Sequence, residues 1–362
     1  MADVGRTTRR HLVGAALAGA AGGRAAPVGA APRTELVLVQ QGIEARTPRL
    51  VANRRHVESL PFDGLAIHVP QSWSVMSGER FEPFADWYEH WLAPLEGLWR
   101  RPLASYLLAF VDDLGDLFDD GAWDVAIENW RDLARGAARA GFAGIFYDNE
   151  EYARPWHNFP EDYASSTESL AAYREQARLR GRQVMEAVVA EFPAVRLLVF
   201  HGPYVSEPKT PRRVVRDQVG DAAEHELLGP FFVGLVEGAG AAATVIDGGE
   251  VYQQRTAADF AASYAWRKRG IAAAETDCAF IPPALRDRWA EAVSVGFAVY
   301  NRSWPDPRRD VMTPAIMERT LGRALRRADD VVWYWTERDN WLVPGGMPAA
   351  WVEAVRAARR RA

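Results

Sequence analysis

The sequence predicts an α/β protein of the (β/α)8 TIM-barrel class, a single barrel domain over residues 35–362. Three observations carry this. Eight short apolar, β-branched or aromatic runs follow one another along the chain, nearly all with a helix-length stretch between them. Polar or aromatic residues close nearly every apolar run, as a ring of loops around a barrel mouth requires. No glycine-rich phosphate loop follows the first run, which argues against the alternative of an open doubly wound sheet.

The elements follow in order. Residues 1–31 precede the first strand and read as a targeting segment: Thr7-Thr8-Arg9-Arg10-His11-Leu12-Val13 resembles a twin-arginine export signal, Leu12 to Ala21 is a short apolar stretch, and small residues around Val28-Gly29-Ala30 suit cleavage. The expected location is secreted or periplasmic. No apolar run is long enough to span a membrane. Strand one is Glu35 to Gln41 and strand two Phe62 to Val69, followed by Gln71, Ser72 and Trp73. Strand three is Ser105 to Val111, closed by Asp112-Asp113. Trp123 to Ala140 is an amphipathic helix with Trp123, Ile127, Trp130, Leu133, Ala134 and Ala137 on one face.

Strand four is the most informative. Ile145-Phe146-Tyr147 is a core strand that ends in Asp148-Asn149-Glu150-Glu151. Crowding acids at a strand end is costly, because like charges and desolvation each raise a carboxyl pKa. The carboxyl end of a strand is also where α/β folds bind ligands. A long helix, Thr167 to Glu191, leads to strand five, Val195 to Phe200, which ends at His201 and Tyr204. Strand six, Ala243 to Ile246, ends in Asp247-Gly248-Gly249-Glu250. A helix over Thr256 to Arg269 precedes a seventh strand, Ile271 to Ala274, ending at Glu275. Helices are expected over Pro283 to Val299 and Thr313 to Ala328. Strand eight, Val331 to Trp335, should pair with strand one and close the sheet, and a last helix runs from Ala349 to Arg361.

Composition narrows the function. With net charge −5 the chain has no electrostatic footprint for nucleic acid. One cysteine excludes an internal disulfide or a multi-cysteine zinc site. The 7 histidines are scattered, without HxH or HExxH spacing, so neither a metal nor another cofactor is expected. The 14 tryptophans, several at predicted strand ends, suit a carbohydrate partner, since aromatic faces stack on sugar rings.

Asn149-Glu150 resembles the Asn-Glu pair that ends strand four of retaining clan A glycoside hydrolases, in which that Glu is the acid/base. The resemblance implies a nucleophile at the end of strand seven, where Glu275 stands. Gly141-Phe142-x-Gly144-Ile145-x-x-Asp148-x-Glu150 is also similar to the segment of chitinase-like family 18 enzymes, with Glu150 again the acid and Asp148 its assistant. Ala143 and Phe146 stand where that family has Asp. Gly141 to Asp148 further resembles the polygalactosaminidase-like barrels. These resemblances imply a secreted hydrolase of O-glycosyl bonds; the alternative is a non-catalytic carbohydrate-binding barrel.

The chemistry asks for one protonated carboxyl and one carboxylate facing a glycosidic bond. Glu150, Asp148 and Glu275 are the catalytic candidates. Asn149, Glu151, Asp112, His201, Tyr204, Asp247, Glu250, Trp335 and Glu337, all at strand ends, are the substrate-binding candidates, and Trp341 is a further stacking candidate. Should Glu275 prove too distant, Asp247, Glu250 and Glu337 are the next partners for Glu150.

Overall fold

A parallel sheet curls until its last strand returns to its first. The computed structural model describes residues 33–40, 45–100, 103–111, 114–150, 156, 158–215, 225–273, 280–337 and 339–362. Thr34–Ala362 form one compact unit. The strands are β1 (Glu35–Gln40), β2 (Gly64–Ile67), β3 (Ala104–Phe110), β4 (Gly144–Asp148), β5 (Arg196–Val199), β6 (Thr244–Asp247), β7 (Val293–Val295), β8 (Phe297–Tyr300) and β9 (Val331–Thr336). They run β7-β6-β5-β4-β3-β2-β1-β9-β8, all parallel.

The two ends of that list are one piece of chain. β7 pairs with β6 and β8 pairs with β9, and only Gly296 lies between β7 and β8. The Gly296 N–H donates to the Asp247 carbonyl at 2.8 Å. β7 and β8 are therefore the halves of a single broken stave, and the structure is an eight-stave (β/α)8 barrel. The expected closure is present: Val37 pairs with Trp333 and Val39 with Trp335.

Alternation along the strands sorts side chains into two cores. Val37, Val39, Leu108, Phe146, Leu198, Ile246 and Trp333 fill the barrel interior. Leu36, Leu38, Ile145, Tyr147 and Leu197 face outward to the helices. The helix Asp120–Arg139 shows how the outer layer works. Asp119 caps it by accepting from the Ala122 N–H, and its apolar stripe sets Trp130 edge-on to Tyr147, with centroids 5.1 Å apart. Burying each such ring contributes about 1.5–3 kcal/mol by area alone.

The seventh strand is a correction. Gly270–Ala272 is a 3-10 turn, and the stave lies in the span expected to be helical. Only Pro283–Arg286 and Trp289–Ala292 are helical there. Val293-Ser294-Val295-Gly296-Phe297-Ala298-Val299-Tyr300 is rich in β-branched and aromatic residues, and that preference prevails once both neighbouring strands offer a ladder. Glu275 therefore does not end strand seven; Asn301 occupies that place. Glu275 itself lies outside the described residues, as do Asp112, Asp113 and Glu151.

Candidate active site

The site is assembled at the carboxyl ends of β4, β5 and β6. β4 alternates so that Phe146 points into the barrel, and Asp148, two residues on, faces the same way and is fully buried. Asp148 Oδ1 accepts from the Glu150 N–H at 3.0 Å, which turns the chain and leaves the Glu150 carboxylate 38% exposed at the mouth. Asn149 faces β5. Its Oδ1 accepts from the His201 N–H and its Nδ2 donates to the His201 carbonyl, both at 2.9 Å. Asn149 thus clamps the β5 turn to the β4 turn.

His201 lies between two carboxylates. Its Nε2 is 3.4 Å from Glu150 Oε1 and 3.4 Å from Glu250 Oε2. Its Nδ1 is 3.2 Å from the Tyr204 hydroxyl. Burial, reinforced by the Asp247 charge, pushes the Tyr204 phenol well up, so it keeps its proton. A phenol O–H donating to Nδ1 leaves Nε2–H to face the acids.

Glu250 is the buried partner. Its Oε1 accepts from the Tyr252 hydroxyl at 2.5 Å. Burial, then the charges of Glu150 and Asp148, hold its carboxyl well above the usual range, whereas the Tyr252 bond works the other way. These causes favour the protonated form of Glu250, which faces the part-exposed carboxyl of Glu150. One oxygen from each of Glu150 and Glu250 and one nitrogen of His201 all lie within 4.8 Å of one another. Nearby, burial followed by the His201 charge lowers His225 to about 4, so that ring stays neutral.

A rigid ion pair underlies the two turns. Arg267 donates to both Asp247 oxygens, at 2.8 and 2.6 Å, and to the carbonyls of Asp247 and Gly296. Both side chains are buried. Two glycines are pressed against this pair. A Cβ on Gly202 would lie 2.2 Å from the Asp247 carboxyl carbon, and one on Gly249, at φ +59°, would lie 2.2 Å from the guanidinium. They adjoin His201 and Glu250 respectively, so the pair sets where both functional side chains start. Asp247 is engaged by Arg267 and is not presented to the mouth.

Of the remaining expected residues, Trp335 is half-buried within the barrel, 6.4 Å from Phe200, and Glu337 is exposed beyond β9. Trp341 is not a stacking floor: it is fully buried in the outer layer against Phe62 and Tyr334. The interior floor is instead Phe146, Phe200 and Trp333, the last two stacked at 4.6 Å. Tyr252 was not singled out from the sequence, although its position two residues after Glu250 on a strand end was a usable signal. An open groove of about 820 Å³ at the opposite end of β6 and β7 includes Lys268 and Asp329. Lys268 donates to Asp329 at 2.7 Å, so these two charges are paired, and the amino-terminal end of barrel strands serves stability. Among the described residues, no helix is long and apolar enough to cross a membrane.

No family model matches the sequence, and no curated protein matches it. Solved structures are similar in fold. An exo-β-1,4-mannosidase from Opitutaceae bacterium strain TAV5 aligns over 91% of this chain and 60% of its own, at 16% identity and a TM-score of 0.47. The chain thus spans less than two thirds of that protein. A GH18 chitinase from Pseudoalteromonas aurantia aligns over 89% and 99%, at 13% identity and 0.41. A D-psicose 3-epimerase from Clostridium cellulolyticum H10 aligns over 90% and 96%, at 11% identity and 0.47. What is common is the barrel. No residue role is carried over from any of them.

Proposed function

We propose that this protein is a glycoside hydrolase whose acid/base is Glu250 and whose nucleophile is Glu150. The observation that carries this reading is a buried Glu250, its carboxyl pushed toward the protonated form, facing the part-exposed Glu150 at the barrel mouth, with oxygens within 4.8 Å. Retaining glycosidases use two carboxyls about 5–5.5 Å apart. In the first step a Glu150 oxygen bonds to the anomeric carbon, the glycosidic bond breaks, and the departing oxygen takes the proton of Glu250. In the second, water gives a proton back to Glu250 and its oxygen displaces Glu150 from the sugar. Asp148 and Glu150 keep Glu250 protonated in the free enzyme. His201 and Tyr204 fix the separation of the two acids. Glu150 keeps a catalytic role, as the sequence suggested, but the buried acid is better suited to hold the proton.

A screen of the purified protein against polysaccharides, reading new reducing ends, tests the activity. Glu250→Gln should retain the first step on aryl glycosides with good leaving groups, which need no proton, seen as a burst of released phenol before a slowed second step, while Glu150→Gln should lose both steps. The opposite pattern would reverse the roles. Binding without reducing ends would favour a non-catalytic carbohydrate-binding barrel.

A second reading has its own observation. Glu150, His201 and Glu250 are a nitrogen-and-oxygen donor set that could hold a divalent cation, which would have to displace the Glu250 proton. Hydrolysis that survives exhaustive dialysis against EDTA would exclude a need for it.

We also propose export by the twin-arginine route, supported by Thr8-Arg9-Arg10. Changing Arg9 and Arg10 together to Lys should trap precursor in the cytoplasm; normal secretion of that variant would remove the proposal.

A further inference from the structure

Two tryptophans at the mouth keep much of their surface in water. Trp73 ends the 3-10 turn that follows β2 and is 39% exposed. Its indole lies flat on Phe110, centroids 3.8 Å apart and planes 4° from parallel. Phe110 ends β3 and is paired in register with Asp148. Trp304 follows β8 and is 37% exposed. It meets Tyr252 edge-on at 6.0 Å, and Tyr252 in turn donates to Glu250. Each platform is thus one residue removed from an acidic strand end.

The ring order sets them on opposite sides. From β3 to β7 there are four steps through β4, β5 and β6, and from β3 to β8 four steps through β2, β1 and β9. As β7 and β8 are one stave, β3 and that stave face each other across the mouth. Glu150 on β4 and Glu250 on β6 flank the arc between them. A ring held flat by a second ring is a preorganised apolar surface that costs a ligand little ordering entropy. Directly after Tyr252, Gln253 and Gln254 are buried, and among the described residues no side-chain amide atom of either has a hydrogen-bond partner. Leaving such groups unsatisfied is costly, and amides both donate to and accept from hydroxyls. The two exposed aromatic faces match a sugar, which is apolar on its ring faces and hydroxylated at its rim; the amides follow Tyr252 directly in the chain.

Building on the glycosidase reading, we propose that an extended, unbranched glycan crosses the whole mouth, one sugar stacked on Trp73 and another on Trp304. The scissile bond then lies between them over Glu150 and Glu250, and cleavage is internal to the chain.

The test uses the full-length protein with end-labelled hexasaccharides of β-1,4-linked glucose, mannose and N-acetylglucosamine, and the matching disaccharides. Internal fragments should appear first. Trp73→Ala and Trp304→Ala should each lower kcat/KM on the hexasaccharide by roughly 10- to 30-fold, the size of an aromatic anchor, and by clearly less on the disaccharide. Trp73→Phe and Trp304→Phe should recover part of the loss, which an unfolding defect would not allow. Release of terminal units only, or equal losses on long and short substrates, would overturn the spanning chain while leaving the glycosidase reading intact. If no hexasaccharide is cut, titration followed by tryptophan fluorescence separates the two ideas. Affinity that rises with chain length and falls in both alanine variants would keep the spanning site and remove hydrolysis. No binding to any of the three would overturn the spanning site.

Discussion

Replacing Glu250 by Gln should change how stability depends on pH, with a sign fixed by the site. Glu250 is buried, and burial together with the Glu150 and Asp148 charges raises its folded pKa well above its ordinary 4.5. Between the unfolded and folded values, the native state holds a proton that the unfolded chain has released. Stability therefore falls as pH rises through that window, by about 1.4 kcal/mol per pH unit for one group. It is fully present below the unfolded value and lost on approaching the folded one. The amide in the variant cannot ionise, so the stability of Glu250→Gln relative to the parent should climb with that slope from just above pH 4.5. Urea unfolding followed by tryptophan fluorescence, in steps of about half a unit from roughly pH 4 to 8, reads the difference directly. Glu150→Gln supplies a second check. It removes one of the charges that hold the Glu250 proton, so in its background the window should close at a lower pH. A flat difference between Glu250→Gln and the parent, or a parent that gains stability relative to the variant as pH rises, would refute a protonated Glu250 and with it the proposed acid.

Two more expectations follow from the same geometry. Tyr252→Phe removes a hydrogen bond that favours the Glu250 carboxylate, so the basic limb of the pH profile of kcat/KM should move to higher pH; an unmoved limb, or one shifted down, would contradict it. Arg267→Met leaves Asp247 buried without its partner and should cost about 3–5 kcal/mol in urea unfolding; the double variant with Asp247→Asn should recover part of this, and a single variant within about 1 kcal/mol of the parent would show that the pair is not the support of the two turns.

The sequence by itself determined the barrel, because strand and helix periods are local properties and each apolar run carries its own pattern. It also singled out Asp148, Asn149 and Glu150, since three such residues at one strand end are visible without any partner. Export and the roles of Glu275, Asp112 and Glu151 rest on sequence alone. The strand ending at Tyr300 was hidden because Val293–Tyr300 follows two short helical turns, and only the open gap between β6 and β9 draws it into the sheet. Tertiary structure alone decided which acids meet. Asp247 and Glu250 stand three residues apart and look equivalent in the sequence, yet Arg267, 20 residues on, takes the first and leaves the second to face Glu150. Such partners are long-range, and local pattern carries no information about which carboxylate a distant guanidinium will find.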